Sequence, residues 1–124
     1  MTVLLDTHVL LWMRSAPERL SPSVLGALAD TSARKVISVV SLTEIAIKVS
    51  TGKLDVGPRF FETAGDLGLE IEPFGADHAR VLAELPWIHR DPFDRMLVAQ
   101  AMAGGATLIT VDPNIQKYPV PTLS

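Results

Sequence analysis

Thr2-Val-Leu-Leu5 followed at once by Asp6 opens the chain with a short apolar run and then a carboxylate. A strand with one wet face alternates apolar and polar residues, whereas an unbroken apolar run of this length suits a strand buried on both faces of a parallel sheet. The residues that follow carry the same reading outward. Helical pattern runs from Thr7 to about Arg14, Pro17 interrupts it, and Ser21-Pro22 supplies an N-cap and a first-turn proline for a helix reaching about Ala33. The β-branched run Val36 to Val40 predicts a second strand, and Ser41-Leu-Thr-Glu44 opens a helix through about Ser50 that Gly52 closes. Gly57-Pro58 starts a helix to about Leu67, Leu69 to Glu72 predicts a third strand, and Ala76 to Leu85 a further helix stopped by Pro86. An apolar helix from Pro92 to Ala103 ends at Gly104-Gly105. A strand from Thr107 to Val111 then finishes at Asp112-Pro113, with a last short strand over Val120 to Leu123. Strands alternating with helices predict one three-layer α/β/α domain over residues 1–124, around a parallel sheet of four or five strands. Ligands of such sheets bind at the carboxyl ends of the strands, where strand order reverses.

Composition agrees with a single core. At 124 residues, 48% hydrophobic and 20% charged, a chain buries roughly two-thirds of the surface it exposes unfolded and needs no disulfide or structural metal. The absence of cysteine excludes disulfide scaffolds, zinc ribbons and thiol catalysis, and suits a reducing cytosol. Met1 to Asp6 contain no basic leader, so no signal peptide is expected. The apolar runs Val9 to Met13 and Val36 to Val40 are far shorter than a membrane span, and a soluble, cytoplasmic protein is expected. Eleven basic against fourteen acidic side chains give a net charge of −3, which by itself argues against a nucleic-acid partner. If four acids share one metal pocket, ten remain against eleven bases, and that objection lapses.

Four acids fall where the predicted rim lies. Asp6 follows the first strand and Asp112 the fourth; Glu44 and Asp94 lie in first turns of helices that follow loops on the same side. Each has a simpler explanation alone: Ser41-x-x-Glu44 matches a capping box, Asp91-Pro92-Phe93-Asp94 an N-cap with an acid on the helix dipole, and Asp6 and Asp112 a cap and a turn opener. The combination outweighs them. Asp94 shares a helical face with Leu97, Val98 and Ala101, and no charged residue follows between Met96 and Thr107, so its carboxylate heads an apolar stripe. Carboxylates converging on a buried edge repel one another unless a divalent cation neutralises them. All-oxygen donors favour Mg²⁺ or Mn²⁺ over zinc, and such a site serves metal-assisted phosphoryl transfer.

The chain resembles a PIN-domain ribonuclease of the VapC toxin type. The matching residues are Leu4-Leu-Asp-Thr-His-Val-Leu-Leu-Trp12, Leu20-Ser-Pro22, Ser38-x-x-Ser-x-x-Glu-Ile-Ala-Ile-Lys48 with Gly52-Lys-Leu54, His89-Arg-Asp-Pro-Phe-Asp-Arg-Met-Leu-Val-Ala-Gln-Ala101 and Leu108-Ile-Thr-Val-Asp112. They span nearly the whole chain. The resemblance implies that Asp6, Glu44, Asp94 and Asp112 form the Mg²⁺ or Mn²⁺ site of an endoribonuclease acting on single strands, with Asp91 an additional acid nearby. It also implies a small antitoxin that holds the enzyme inactive, and a homodimer.

Other residues are weighed against blander roles. Thr7 and Thr110 are secondary site candidates that read equally as cap and strand residues. Lys48 and Arg95, within a turn of Glu44 and Asp94, are the favoured RNA-binding cations among Arg14, Lys48, Lys53, Arg59, Arg90 and Arg95. His8, His78 and His89 have no shared ligand spacing and receive no catalytic role. Trp12, Trp87 and Phe60-Phe61 read as core or interface aromatics before base-stacking platforms. Mean hydropathy of +0.28 and the apolar residues Leu10 to Met13, Leu20, Val24, Leu25 and Leu28 predict an exposed patch on the first helix pair, hence the homodimer. The alternatives are a non-catalytic metal- or RNA-binding module and, with less support because no second acid adjoins Asp6, an aspartyl phosphotransferase.

Overall fold

Val3, Leu4 and Leu5 have essentially no contact with solvent, and the two-sided burial expected of this strand is what the computed structural model, which describes residues 1–66 and 68–124, displays. The strand, β1 (Thr2–Leu5), pairs in parallel with β2 (Arg34–Ser38) on one side and β4 (Thr107–Ile109) on the other. β3 (Leu69–Glu72) extends the sheet beyond β2, and β5 (Thr122–Leu123) beyond β4, all parallel, in the order β3-β2-β1-β4-β5. Strand order therefore reverses beside the carboxyl end of β1.

Side chains alternate across the sheet into two cores. Val3, Leu5, Ile37 and Ile109 face one side with α1 (Thr7–Ser15), α2 (Pro22–Ala29) and Ile45 of α3 (Val39–Ser50). Leu4, Val36 and Leu108 face the other, against Leu97, Val98 and Ala101 of α5 (Pro92–Gly104) and Leu85, just beyond α4 (Ala76–Glu84). Truncating Leu97, which is fully buried, to alanine costs about 2–5 kcal/mol. Asp91 caps α5 by accepting from the backbone N–H groups of Phe93 and Asp94 at 2.9 and 3.2 Å. Gly105 closes it in the left-handed region at φ 63°, where a side chain would be strained.

Several predicted boundaries move, each for a local reason. Val39 and Val40 belong to α3 instead of the second strand, because Ser38 ends β2 and its hydroxyl accepts from Val40 N at 3.0 Å. The N-cap is thus Ser38, not Ser41, and Glu44 stands in the second turn. α2 stops at Ala29, four residues early, where Asp30 Oδ1 accepts from Ser32 N at 2.9 Å and turns the chain. Residues 58–65 form successive turns instead of the predicted helix; Phe60 and Ala64 reach the core while Arg59, Phe61 and Glu62 stay exposed, too little burial to nucleate a helix. The predicted end of that helix, Leu67, lies outside the described residues. β4 and β5 are shorter than predicted, ending at Ile109 and spanning only two residues, respectively.

The exposed patch expected on the first helix pair does not form. Leu10, Leu20 and Val24 are buried, Leu11, Trp12, Met13 and Leu28 pack half-buried on the same core, and only Leu25 of that set is exposed. Among the described residues no helix is long and apolar enough to cross a membrane.

Candidate active site at the carboxyl edge of the sheet

In a parallel sheet every strand delivers its carboxyl end to one edge, and β1 delivers Asp6 to the point where strand order reverses. The Asp6 side chain is 3% exposed, and Asp6 N donates to Ile109 O at 2.9 Å, which locks the exits of β1 and β4 together. Beyond β4, the Thr110 hydroxyl donates to Asp6 Oδ2 at 2.7 Å and accepts from Asp112 N at 3.0 Å. One hydroxyl therefore positions two of the four acids. Asp112 Oδ1 accepts from Asn114 N at 2.8 Å, so it is both turn former and rim acid.

Glu44 comes from α3, the helix whose first turn is tied to α1 beside Asp6. Ser41 lies one turn before it, and the buried Thr7–Ser41 hydroxyl pair at 2.9 Å holds that face of α3 against the first turn of α1, next to Asp6. Glu44 Oε2 takes the ammonium of Lys48 at 3.0 Å, but Oε1 is buried with no hydrogen-bond partner. Since Ser38 is the cap, helix capping does not explain this carboxylate. An orphaned anionic oxygen is costly unless something cationic meets it.

Asp94 sits at the head of α5 with Leu97, Val98 and Ala101 buried behind it, as the stripe argument requires. Burial pushes its carboxyl up to about 6; a hydrogen bond from His89 opposes the rise, and the negative charges of Asp91, Asp6 and Asp112 add to it. Burial likewise raises Asp6, against the Thr110 hydroxyl, the nearby His8 and the Thr7 backbone, with Asp112 raising it further. Asp6 and Asp112 therefore bear on the charge of Asp94, and Asp112 on that of Asp6, which is the repulsion expected of a shared site.

Glu44, Asp94 and Asp112 each commit one oxygen to the protein and leave the other free of protein partners. Among the described residues no three His, Asp or Glu side chains close to metal-ligating distance; the acids line an open edge, with Lys48 drawing on Glu44 and His89 on Asp94. The donor set, all carboxylate oxygen with one orphan buried at Glu44, fits a hard divalent cation. Asp6, Glu44, Asp94 and Asp112 are the residues that would hold it.

The secondary residues separate clearly. Thr110 is a positioning residue for Asp6 and Asp112, and Thr7 ties α1 to α3. Asp91 is exposed and occupied as the α5 cap. Lys48 pairs with Glu44 at 3.0 Å while 42% of its side chain stays exposed. Arg95, expected along an RNA path, is buried: it donates to Pro86 O at 2.8 Å, Leu85 O at 3.3 Å and the Tyr118 hydroxyl at 3.1 Å, under the Trp87 ring. The i+1 step from Asp94 turns it away from the edge. His8 is exposed in the first turn of α1, and His78 caps α4 by accepting from Gly75 N at 2.9 Å.

His89 is the residue that sequence reasoning passed over. Its Nε2 lies 3.1 Å from Asp94 Oδ2 and its Nδ1 2.8 Å from the Tyr118 hydroxyl. That hydroxyl also accepts from Arg95 Nη1 and His89 N, and its one proton has two acceptors, Nδ1 at 2.8 Å and the more distant His89 carbonyl at 3.4 Å; the shorter bond favours the neutral tautomer of His89 with its proton on Nε2, donating to Asp94. His89 stands five residues before Asp94 across a proline-started helix, an offset visible in the sequence; Tyr118, 29 residues away, is not.

Known proteins share this architecture. The chain matches the family model described as PIN domain over residues 3–121. VapBC2 from Rickettsia felis superposes with a TM-score of 0.75 at 21% identity, covering 99% of this chain and 98% of that one. VapBC from Salmonella typhimurium gives 0.73 at 17%, covering 99% and 97%, and FitAcB from Neisseria gonorrhoeae 0.65 at 20%, covering 98% and 96%. No curated protein matches the chain closely enough to count as a relative. With the family model spanning all but the chain's extreme residues and the solved folds matching end to end, the chain belongs to the PIN-domain family.

Proposed function

We propose that this protein is a divalent-metal-dependent endoribonuclease that acts in the cytoplasm as the toxin of a toxin–antitoxin pair. The observation that carries the nuclease reading is the mutual bearing of Asp6, Asp94 and Asp112 at the carboxyl edge, supported by the orphaned, buried Glu44 Oε1 on the helix tied to α1 beside Asp6. Mg²⁺ or Mn²⁺ bound there would polarise a phosphoryl oxygen, activate a water and offset charge on the leaving oxygen. The chain's own residues prepare for it. Thr110 fixes Asp6, the Thr7–Ser41 pair fixes the α3 face, and His89 holds Asp94 in one rotamer while keeping its second oxygen free. A phosphotransferase would need a nucleophilic, accessible Asp6, and its burial behind Thr110 disfavours that reading.

The test is cleavage of a panel of single-stranded and structured RNAs with Mg²⁺, with Mn²⁺ and with chelator, against Asp6→Asn. Metal-dependent cleavage lost in the variant supports the reading; metal binding without cleavage of any RNA would leave a non-catalytic module. The toxin and antitoxin roles rest on the sequence resemblance and on likeness to VapBC2, which was solved bound to a fragment of its promoter DNA. Expression alone should arrest growth, and coexpression of the partner should relieve it. The homodimer, without the exposed helix-pair patch, rests on resemblance alone, and light scattering decides between 13.4 kDa and twice that mass.

A further inference from the structure

Trp87 is 77% exposed, the most exposed large apolar side chain among the described residues. It is not loose. The buried Arg95 guanidinium lies 3.8 Å from its ring centre, and that guanidinium is itself fixed by hydrogen bonds to two carbonyls and the Tyr118 hydroxyl. One ring face is therefore held against a cation with no carboxylate partner, and the other is open to solvent. Trp87 borders a cleft of about 610 Å³ together with Ile88, His89 and Arg90, within the roughly 300–1,000 Å³ of ligand sites. His89 is also the wall of the acid edge, 3.1 Å from Asp94. Arg90 is exposed and has no ion pair among the described residues.

An aromatic plate fixed on a buried cation, with a free guanidinium beside it and an acid edge one residue away, matches a single nucleic-acid strand in both charge and shape. The base has a π-face for the indole, and the phosphate an anion for Arg90. A protein surface would use the same two side chains, and the test below separates it from RNA. We infer that Trp87 and Arg90 form a nucleotide subsite next to the acid edge, Trp87 stacking one unpaired base of the substrate strand while Arg90 holds its phosphate. The inference rests on the ribonuclease reading and extends it by naming where the strand is gripped.

The experiment is binding of a labelled single-stranded RNA decamer in chelator, read by anisotropy. Tryptophan quenching is read in parallel in a Trp12→Phe background that leaves Trp87 as the reporter. Quenching on binding is expected, with Kd raised about tenfold or more in Trp87→Ala, less in Trp87→Phe, and with the salt slope reduced by about one in Arg90→Ala. Asp94→Asn should keep the quenching. Should Trp87→Ala fail to fold, Trp87→Phe and Arg90→Ala decide the matter. Unchanged Kd in these variants, with metal-dependent cleavage intact, overturns the subsite and leaves the nuclease. Unchanged RNA binding together with lost antitoxin binding or a changed oligomeric mass makes the plate a protein interface and also overturns it. Neither binding nor cleavage of RNA by the unaltered protein overturns both.

Discussion

Replacing Asp94 by asparagine should make the metal-free protein more stable while removing its activity, and the pH dependence of that gain is fixed by the site. The carboxyl of Asp94 titrates at about 6 when folded, against an ordinary value of 3.8. A raised carboxyl means that the folded chain holds the proton more tightly than the unfolded one, so stability falls as pH rises from about 4 to about 6 and stays lower above that. At about 1.4 kcal/mol per pKa unit the full shift corresponds to about 3 kcal/mol; with the side chain 14% exposed and able to relax toward water, roughly 1–2 kcal/mol is the expected cost. The asparagine amide carries no charge, and its carbonyl can still accept from His89 Nε2. Thermal melts in chelator should therefore show the variant ahead by roughly 3–8 °C at pH 7.5 and level with the parent near pH 4. Adding Mg²⁺ or Mn²⁺ at about a hundred times its dissociation constant should stabilise the parent by about 2.7 kcal/mol and the variant much less. A variant less stable than the parent at pH 7.5 in chelator, or one that responds equally to metal, refutes the argument that Asp94 is a strained ligand awaiting a cation.

The other acids and their supports give distinct signatures. Glu44→Gln should weaken Mn²⁺ binding by at least about tenfold, measured by calorimetry, since it neutralises the oxygen that has no protein partner. Lys48→Met removes the ammonium competing for Glu44 Oε2; metal affinity should rise, while metal-free stability falls by about 1 kcal/mol. Thr110→Val deletes the hydroxyl shared by Asp6 and Asp112, which should raise the Asp6 carboxyl further and cost about 1–3 kcal/mol by denaturant melts, more at pH 8 than at pH 5. Tyr118→Phe frees His89 Nδ1 and leaves Arg95 short of an acceptor. Cleavage should fall and stability drop by about 1–2 kcal/mol, with the loss of activity exceeding what the stability change explains.

Much of this was legible in residue order. β1, the limits of α5 and the carboxyl-edge placement of Asp6 and Asp94 follow from apolar runs, Pro92 and the Gly104-Gly105 stop, all local signals that tertiary packing reinforces. Val39 and Val40 mislead because β-branched residues favour strands until a cap intervenes, and the cap is one turn earlier than the capping-box pattern suggests. That displacement matters for function, since it is what frees Glu44 from a capping role. Residues 58–65 mislead for the opposite reason: the pattern is helical, but only two of its side chains find a core. The burial of Arg95, the His89–Tyr118 contact and the plate at Trp87 depend on pairs 8 to 29 residues apart brought together by packing, which no local period encodes.

The central position of β1 also governs when, as the chain is made, the acid edge can assemble. β1 is the earliest strand in the chain, yet one of its two partners, β4, spans Thr107–Ile109, and Asp6 is pinned by Ile109 and Thr110, 103 and 104 residues later. Contacts of such sequence separation form late and slowly. During synthesis, at roughly 5–20 residues per second, Asp6 cannot be pinned until Thr110 has been made, so a nascent chain shorter than that carries Asp6, Glu44 and even Asp94 without the edge that gathers them. The edge is thereby completed by the latest of its contributing segments: a chain that stops before Thr110 carries the acids in sequence but not in place.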